Sequence, residues 1–154
     1  MKVRRKKWPC GRTRHIVAFL QRLHPSGLTV SALARELRMA KPTVSRMLCS
    51  DNMHLSRAEY IARTYGYKLR LVYEYKGTYP VDSTYYPRIA NNLYGIDEFC
   101  QRMNRTYHYI ADTVGIHPHS IVTALKTGDI MLSTLYTITN GLGMEITWMF
   151  IPTE

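Results

Sequence analysis

The chain has 154 residues, which is enough for one average domain or for two small helical domains of roughly 60 residues each. Apolar residues make up 45% of the chain and charged residues 21%, a balance that provides a core and excludes wholesale disorder. The net charge of +10 is unusual for a cytosolic enzyme and indicates a polyanionic partner such as nucleic acid.

The positive charge is concentrated in the first half of the chain. Residues 1–77 contain 17 Lys and Arg against four acids, whereas residues 78–154 contain four against seven. A basic arm over residues 1–14 is therefore predicted, and its cations are candidates for contact with phosphates or the minor groove. The candidates in the arm are Arg4, Arg5, Lys6, Lys7, Arg12 and Arg14. A solubilising tail is the alternative interpretation of this segment.

Cysteine usage and hydropathy indicate the compartment. Cys10, Cys49 and Cys100 are far apart and odd in number, which predicts free thiols rather than a disulfide framework. No apolar run approaches the roughly 20 residues that a membrane span requires, and no signal-peptide core follows the basic start. We therefore expect a cytoplasmic, nucleoid-associated protein with no membrane partner, no cofactor and no metal.

The two halves of the chain repeat each other. A shift of 77 residues aligns Thr29 with Thr106 and Gly66 with Gly143, and no gap is needed from residue 28 to about residue 74. Identical pairs fall on apolar, glycine and capping positions, where a shared structure constrains the residue type. The sequence therefore predicts two copies of one structural unit.

Each copy is predicted to contain four helices and one strand. Apolar residues recur with helical spacing, first at Ile16, Phe19, Leu20 and Leu23. Residues suited to capping, prolines in a first turn and glycines beyond a last turn mark the helix ends. In chain order these markers are Thr29 or Thr106 before the second helix, Pro42 or Pro118 at the third, Ser56 or Ser133 before the fourth, and Gly66 or Gly143 after it.

A run with a period of two follows each terminating glycine, over residues 67–75 and 144–151, and predicts a strand. Because a lone strand is unstable, the two strands are expected to pair with each other or with a second chain. The predicted class is mainly α, with tandem four-helix units that each end in one short strand. The predicted organisation is an arm over 1–14, units over 15–76 and 95–154, and an irregular linker over 77–94.

A turn of three residues separates the second and third helices, at residues 38–40 in the first copy and 115–117 in the second. Gly115 can adopt a positive φ without strain. Arg38 occupies the same slot in the first copy. We therefore expect Arg38 to be mildly strained if the two turns share a geometry.

The residues from Leu28 to Arg46, LTVSALARELRMAKPTVSR, resemble the helix-turn-helix of the phage repressor and Cro family. A small residue in the first helix and a branched apolar residue in the second carry the resemblance. The residues from Ile110 to Ile121, IADTVGIHPHSI, carry it again in the second copy. Glutamines that are common in the family at the starts of these helices are absent, so no base preference is transferred.

The resemblance implies that the third helix of each copy enters the major groove while the second lies along the DNA backbone. Arg46 is then placed to bind guanine O6 and N7, and Lys41 to reach guanine or phosphate. Solvated helix faces are the alternative interpretation. The implied contacts are Ser31, Arg35, Lys41, Thr43, Ser45 and Arg46 in the first copy, and His119, Ser120, Thr123 and Lys126 in the second.

These patterns predict sequence-specific binding of double-stranded DNA by a repressor-like transcriptional regulator or by a DNA-binding protein of a mobile element. The charge split favours binding by the first copy, with a homodimer formed through the second copy or the strands. A protein-interaction or assembly module of helix-turn-helix shape is the alternative. No phosphate loop, nucleophile elbow, paired acids or zinc motif is present, so no enzyme activity is expected.

Overall fold

In the computed structural model, which describes residues 11–80 and 83–153, the chain forms eight helices and a two-stranded antiparallel sheet. The mainly α class expected from the sequence agrees with this content. The elements in chain order are α1 (Arg14–Leu23), α2 (Val30–Leu37), α3 (Lys41–Cys49), α4 (Leu55–Thr64), β1 (Tyr67–Tyr75), α5 (Tyr94–Met103), α6 (Tyr107–Val114), α7 (Pro118–Thr127), α8 (Leu132–Gly141) and β2 (Met144–Pro152). None of these helices is long and apolar enough to cross a membrane.

The described residues form two compact units, and each unit draws on distant parts of the chain. The first unit comprises residues 11–69, 131–133 and 150–153, and the second comprises residues 70–80, 83–130 and 134–149. Each strand therefore contributes its two ends to different units. The compact units therefore do not coincide with continuous stretches of the sequence.

The core of the first unit is made by the apolar faces of α1 to α4, with α2 packed against α3 and α4. Its largest fully buried side chains are Ile16, Leu20, Leu33, Leu37, Leu48, Leu55 and Ile61. In the second unit α6 packs against α7. The corresponding buried side chains there are Leu71, Leu93, Ile96, Ile110 and Ile121. The helical spacing of apolar residues in the sequence thus marks the faces that are buried.

The second helix of each copy begins as the sequence predicts. Thr29 Oγ1 accepts a hydrogen bond of 3.1 Å from the backbone N–H of Ala32 at the start of α2. Thr106 Oγ1 accepts an equal bond from the N–H of Tyr109 at the start of α6. Both bonds satisfy backbone donors that a first helical turn leaves without partners.

The fourth helix of each copy begins earlier than the sequence predicts. We expected α4 and α8 to follow Ser56 and Ser133, but they begin at Leu55 and Leu132. The Ser133 N–H donates to Asn52 Oδ1 at 2.9 Å, and Asn52 Nδ2 donates to Ser133 Oγ at 2.9 Å. The side chain that caps α8 therefore comes from 81 residues earlier in the chain, within the first unit, and no local pattern could reveal it.

The strands pair with each other, which is one of the two arrangements that the sequence left open. The N–H of Lys76 donates to the carbonyl of Gly143 at 2.9 Å, and that of Thr153 donates to Gly66 at 2.8 Å. These bonds set an antiparallel register in which Leu71 lies opposite Trp148. The same two residues are aligned by the 77-residue repeat, so equivalent positions of the two copies meet at the centre of the sheet.

The segment before α5 is bonded to the second unit. Asn92 Oδ1 accepts the N–H of Leu71 at 2.9 Å, and the Tyr94 hydroxyl donates to the Leu71 carbonyl at 2.8 Å. The N–H and the carbonyl of Leu71, which lie on the edge of β1 away from β2, are thereby both hydrogen-bonded. The fully buried Asp97 accepts hydrogen bonds from Arg88 and Gln101 of the same unit. Residues 83–93 of the predicted linker form no helix or strand, and hydrogen bonds fix Arg88 and Asn92 within this unit.

Candidate nucleic-acid interface

Helix α3 has one buried side and one exposed side. Val44, Met47 and Leu48 are buried. Lys41 and Arg46 are exposed on the other side. The arrangement follows from helical periodicity, because the buried residues lie at i, i+3 and i+4. The buried residues fix the helix in the core, and Lys41 and Arg46 stay exposed on the side away from it.

The predicted contacts of the first copy lie on the neighbouring helices α2 and α3. We call this set of side chains, Ser31, Arg35, Lys41, Thr43, Ser45 and Arg46, the basic face. Within it Ser31, Arg35, Lys41, Ser45 and Arg46 are exposed, and Thr43 is half-buried. Among the residues that the structure describes, no acidic side chain lies within ion-pair distance of its three cations.

The turn between α2 and α3 holds the two helices in a fixed relation. Arg38 lies in the left-handed region, with φ 55° and ψ 48°, and the Met39 N–H donates to the Ala34 carbonyl at 2.9 Å. Ala40 is extended and precedes the first residue of α3. The backbone groups at the end of α2 are thus satisfied inside the turn.

A shallow pocket of about 360 Å³ lies beside the basic face. It is lined by Met39, Ala40 and Thr43, with Arg57 and Tyr60 from α4. Arg57 Nη1 approaches Met39 Sδ at 3.6 Å, and the Tyr60 hydroxyl donates to the Leu37 carbonyl at 2.8 Å. Arg57 was not predicted from the sequence, because its proximity to the turn depends on how α4 packs.

Two acidic residues of the first unit are engaged within that unit. Glu36 Oε1 accepts a hydrogen bond of 2.6 Å from the Tyr65 hydroxyl and lies 2.8 Å from His24 Nε2. Asp51 is bound by Arg12 through several contacts. Because these carboxylates lie beside their own donors, they detract less from the positive potential of the surface.

The hydrogen bond from Tyr65 lowers the pKa of Glu36 below its ordinary value. Partial burial opposes this effect, and the contact with His24 supports it. The same burial and the proximity of the carboxylate raise the pKa of Tyr65. Glu36 therefore stays ionised and paired at neutral pH.

The structure describes only the end of the predicted basic arm. Arg12 donates from Nε to the Asp51 carbonyl at 3.0 Å, and its backbone N–H donates to Asp51 Oδ1 at 2.8 Å. Arg14 is exposed as the first residue of α1. The other candidates of the arm, Arg4, Arg5, Lys6 and Lys7, lie outside the described residues, as does Cys10. Arg12 thus has a structural partner that the sequence did not indicate.

The equivalent face of the second copy is polar and carries little positive charge. His119, Ser120, Thr123 and Lys126 are exposed on α7. His119 Nε2 lies 3.3 Å from Thr123 Oγ1. The repeat places the exposed Asp112 at the position that Arg35 occupies in the first copy. The electrostatic conditions for binding a polyanion are therefore weaker at α7 than at α3.

The remaining cysteines are free thiols in different environments. Cys49 is exposed at the end of α3, and Cys100 is buried in α5. Burial raises the pKa of the Cys100 thiol to about 12, so this thiol stays protonated at neutral pH.

The basic face can form hydrogen bonds and ion pairs with a polyanion along two helices whose other sides are buried. Guanidinium and ammonium groups supply the charge, and the hydroxyls of Ser31, Thr43 and Ser45 supply neutral donors and acceptors. Comparisons of the chain with models of protein families, with curated proteins and with solved structures find no match.

Proposed function

We propose that the protein binds double-stranded DNA in a sequence-specific manner, and that α3 of the first copy enters the major groove as a recognition helix. The proposal follows the resemblance of the α2–turn–α3 segment to the helix-turn-helix of phage repressors. In this role the protein acts as a repressor-like transcriptional regulator or as the DNA-binding protein of a mobile element.

The observation that carries the proposal is the exposure of Lys41 and Arg46 on a helix whose other side is fixed in the core. A major groove about 12 Å wide admits one α-helix with its side chains. Arg46 can present two N–H donors to the O6 and N7 acceptors of a guanine, a pairing that specifies the base. Lys41, at the start of the helix, is placed for guanine or phosphate.

Charge supports the first copy over the second as the principal DNA contact. The described residues 11–69 contain ten Lys and Arg against three acids. On α7 the exposed candidates include one cation, Lys126, and the neighbouring helix exposes Asp112. Repulsion between Asp112 and phosphates disfavours a close backbone approach by α6. The second copy then serves to assist binding or to form a homodimer.

Selection of bound duplexes from a random library tests the proposal. The wild-type chain is expected to enrich a defined site, and Arg46→Ala is expected to lose preference at one guanine position by roughly tenfold to a hundredfold. Arg63→Ala is the matched control, because Arg63 is exposed on α4 and its removal changes the net charge equally. The control is expected to enrich the wild-type site.

The same selection separates DNA recognition from the alternative of a protein-interaction module. A specific complex holds its site at salt concentrations that dissociate random duplexes. Retention without sequence preference, lost at moderate salt, would indicate that the charge is incidental and that the helix pair docks a protein. An Arg46→Ala chain that enriches the wild-type site with unchanged affinity would remove α3 as the reading helix.

A further inference from the structure

Arg38 occupies a backbone conformation that L-residues other than asparagine and aspartate rarely adopt. Its φ is 55° and its ψ is 48°, and Asn104 is the one other non-glycine residue with a positive φ in the part of the chain that the structure describes. The left-handed conformation brings Cβ too close to the following carbonyl oxygen. Arginine at this position therefore reduces the stability of the first unit.

The second copy shows that the turn does not need a side chain at this position. Gly115 is the repeat equivalent of Arg38, and it ends α6 with φ 77° and ψ 34°. A Cβ built on Gly115 meets nothing within 4 Å, so space is not what excludes a side chain there. Glycine relieves the strain of this turn, and the first copy nevertheless carries arginine.

Within the described part of the chain, no hydrogen bond or ion pair engages the Arg38 side chain. The Arg38 residue is exposed, and no acid among residues 11–80 and 83–153 pairs with its guanidinium. Its backbone N–H already donates within the turn, to carbonyls of Ala34 and Arg35. Glu36, two residues earlier, is bound to Tyr65 and His24. The contacts of residues 11–80 and 83–153 therefore do not compensate the strain.

The position of Arg38 matches a flanking contact with DNA. It stands three residues before Lys41, at the end of α3 that a recognition helix directs into the groove. Because the turn precedes α3 and is not part of it, we expect a group on the turn to meet the phosphates that border the groove. Phosphate contacts of this kind fix the register of a protein on DNA and carry no sequence information.

We propose that Arg38 binds a backbone phosphate of the DNA site, and that its strained conformation is retained for this contact. The inference rests on the proposed function, since it assigns a further contact to the same interface. Residues held in strained backbone conformations cluster at functional sites, where the strain is part of how a group is presented to its ligand. Arg38 positions the complex, and Arg46 reads the base.

We expect Arg38→Gly to stabilise the free protein and to weaken its binding to DNA. The melting temperature of the free protein is expected to rise by about 2–4 °C, because the strain is relieved. Affinity for the selected duplex is expected to fall roughly fivefold to twentyfold. The slope of log K against log salt is expected to decrease by about 0.9, while the selected sequence stays the same.

Two controls isolate the contact from its side effects. Asn104→Gly relieves the other left-handed residue and removes no charge, so its affinity and salt slope are expected to equal those of the wild type. Arg63→Ala removes one exposed charge from α4 and is expected to leave the salt slope nearly unchanged. A loss confined to Arg38→Gly therefore reports a localised phosphate contact.

The outcomes distinguish this inference from the function on which it rests. If the Arg38→Gly protein binds the selected duplex with wild-type affinity and salt slope while Arg46→Ala loses base preference, the Arg38 contact is wrong and the DNA-binding proposal stands. If the wild-type chain selects no site, the function itself fails. A changed site preference in Arg38→Gly would also overturn the inference, because a phosphate contact does not select bases.

Discussion

Glu36 is an acidic residue beside the basic face whose carboxylate is bound by side chains of other elements. It is located on α2, the helix that carries Ser31 and Arg35, yet its carboxylate is bound by Tyr65 and His24. These contacts hold the end of α1 and the end of α4 to α2. The residue therefore contributes to stability and to the electrostatics of the basic face together.

Glu36→Gln is expected to lower the free energy of unfolding by about 0.5–1 kcal/mol at pH 7, a value reduced for solvent screening because the side chain is 34% exposed. The folded state lowers the pKa of Glu36 from 4.5. The wild type therefore has the full stabilisation above pH 4.5 and loses it as the pH falls through the folded value, whereas the variant does not.

Urea unfolding at pH 7 and at pH 3 measures this difference. The gap between wild type and Glu36→Gln is expected to narrow at the lower pH, because the folded state lowers the pKa of Glu36 and the stabilisation falls as the pH drops below 4.5. Glu145→Gln is the control, because Glu145 pairs with Lys76 on an exposed part of the sheet. A gap at pH 7 as small as that of the control would show that the Tyr65 and His24 contacts do not stabilise the fold.

The residue-scale features that the sequence could predict are those with local causes. The hydroxyls of Thr29 and Thr106 each accept a hydrogen bond from the backbone N–H three residues further on. The strain of Arg38 comes from its own left-handed backbone, and Gly115 at the equivalent position of the repeat is what made it predictable. The partners of Glu36 and of Arg12 lie on other elements. Their identity depends on packing, which propensity and spacing do not encode.

At the scale of elements, the strand β1 covers the residues that alternation predicted, and β2 extends one residue further. The predicted starts of α4 and α8 were wrong. A hydroxyl residue before an apolar run indicates an N-cap when the cap is local, but α8 takes its cap from Asn52. Sequence patterns identified the elements, and tertiary contacts decided where two of them begin.

Asn52→Ala is expected to destabilise the protein by about 1 kcal/mol, because the Ser133 N–H loses its acceptor and Ser133 Oγ loses a donor. Asn140→Ala is the matched control. It changes an exposed asparagine in α8, where alanine is the better helix former, so a neutral or slightly stabilising effect is expected.

Chemical denaturation with far-ultraviolet circular dichroism measures both variants. Equal effects of the two substitutions would show that Asn52 does not cap α8. An effect of Asn52→Ala that exceeds the control by about 1 kcal/mol would support the long-range cap.

At the scale of the whole molecule, the boundary between the basic and acidic halves of the chain does not coincide with the boundaries of the compact units. The basic first half and the acidic second half are visible in the sequence. The compact units are not, because the first unit includes residues 131–133 and 150–153. Phe150 belongs to that unit and stacks on Phe19, with ring centroids 4.1 Å apart. A repeat in sequence predicts contiguous units, and strand pairing brings in residues from elsewhere.

The basic face illustrates what the sequence could and could not give about the site. Periodicity alone places Val44 and Leu48 inside and Lys41 and Arg46 outside, and the structure agrees. Arg57 reaches the same region from α4 and was missed, since helix packing determines its position. The sequence predicts the strain at Arg38, but its exposure, and the absence of an acidic partner among the described residues, are seen only in the structure.

Replacing the guanines of the selected duplex one at a time with 7-deazaguanine tests most directly whether Arg46 reads a base. Loss of the N7 acceptor at one guanine is expected to weaken wild-type binding roughly tenfold and to leave Arg46→Ala binding unchanged. Equal weakening of both proteins at that guanine, or no sensitive guanine anywhere in the site, would contradict the placement of α3 in the major groove.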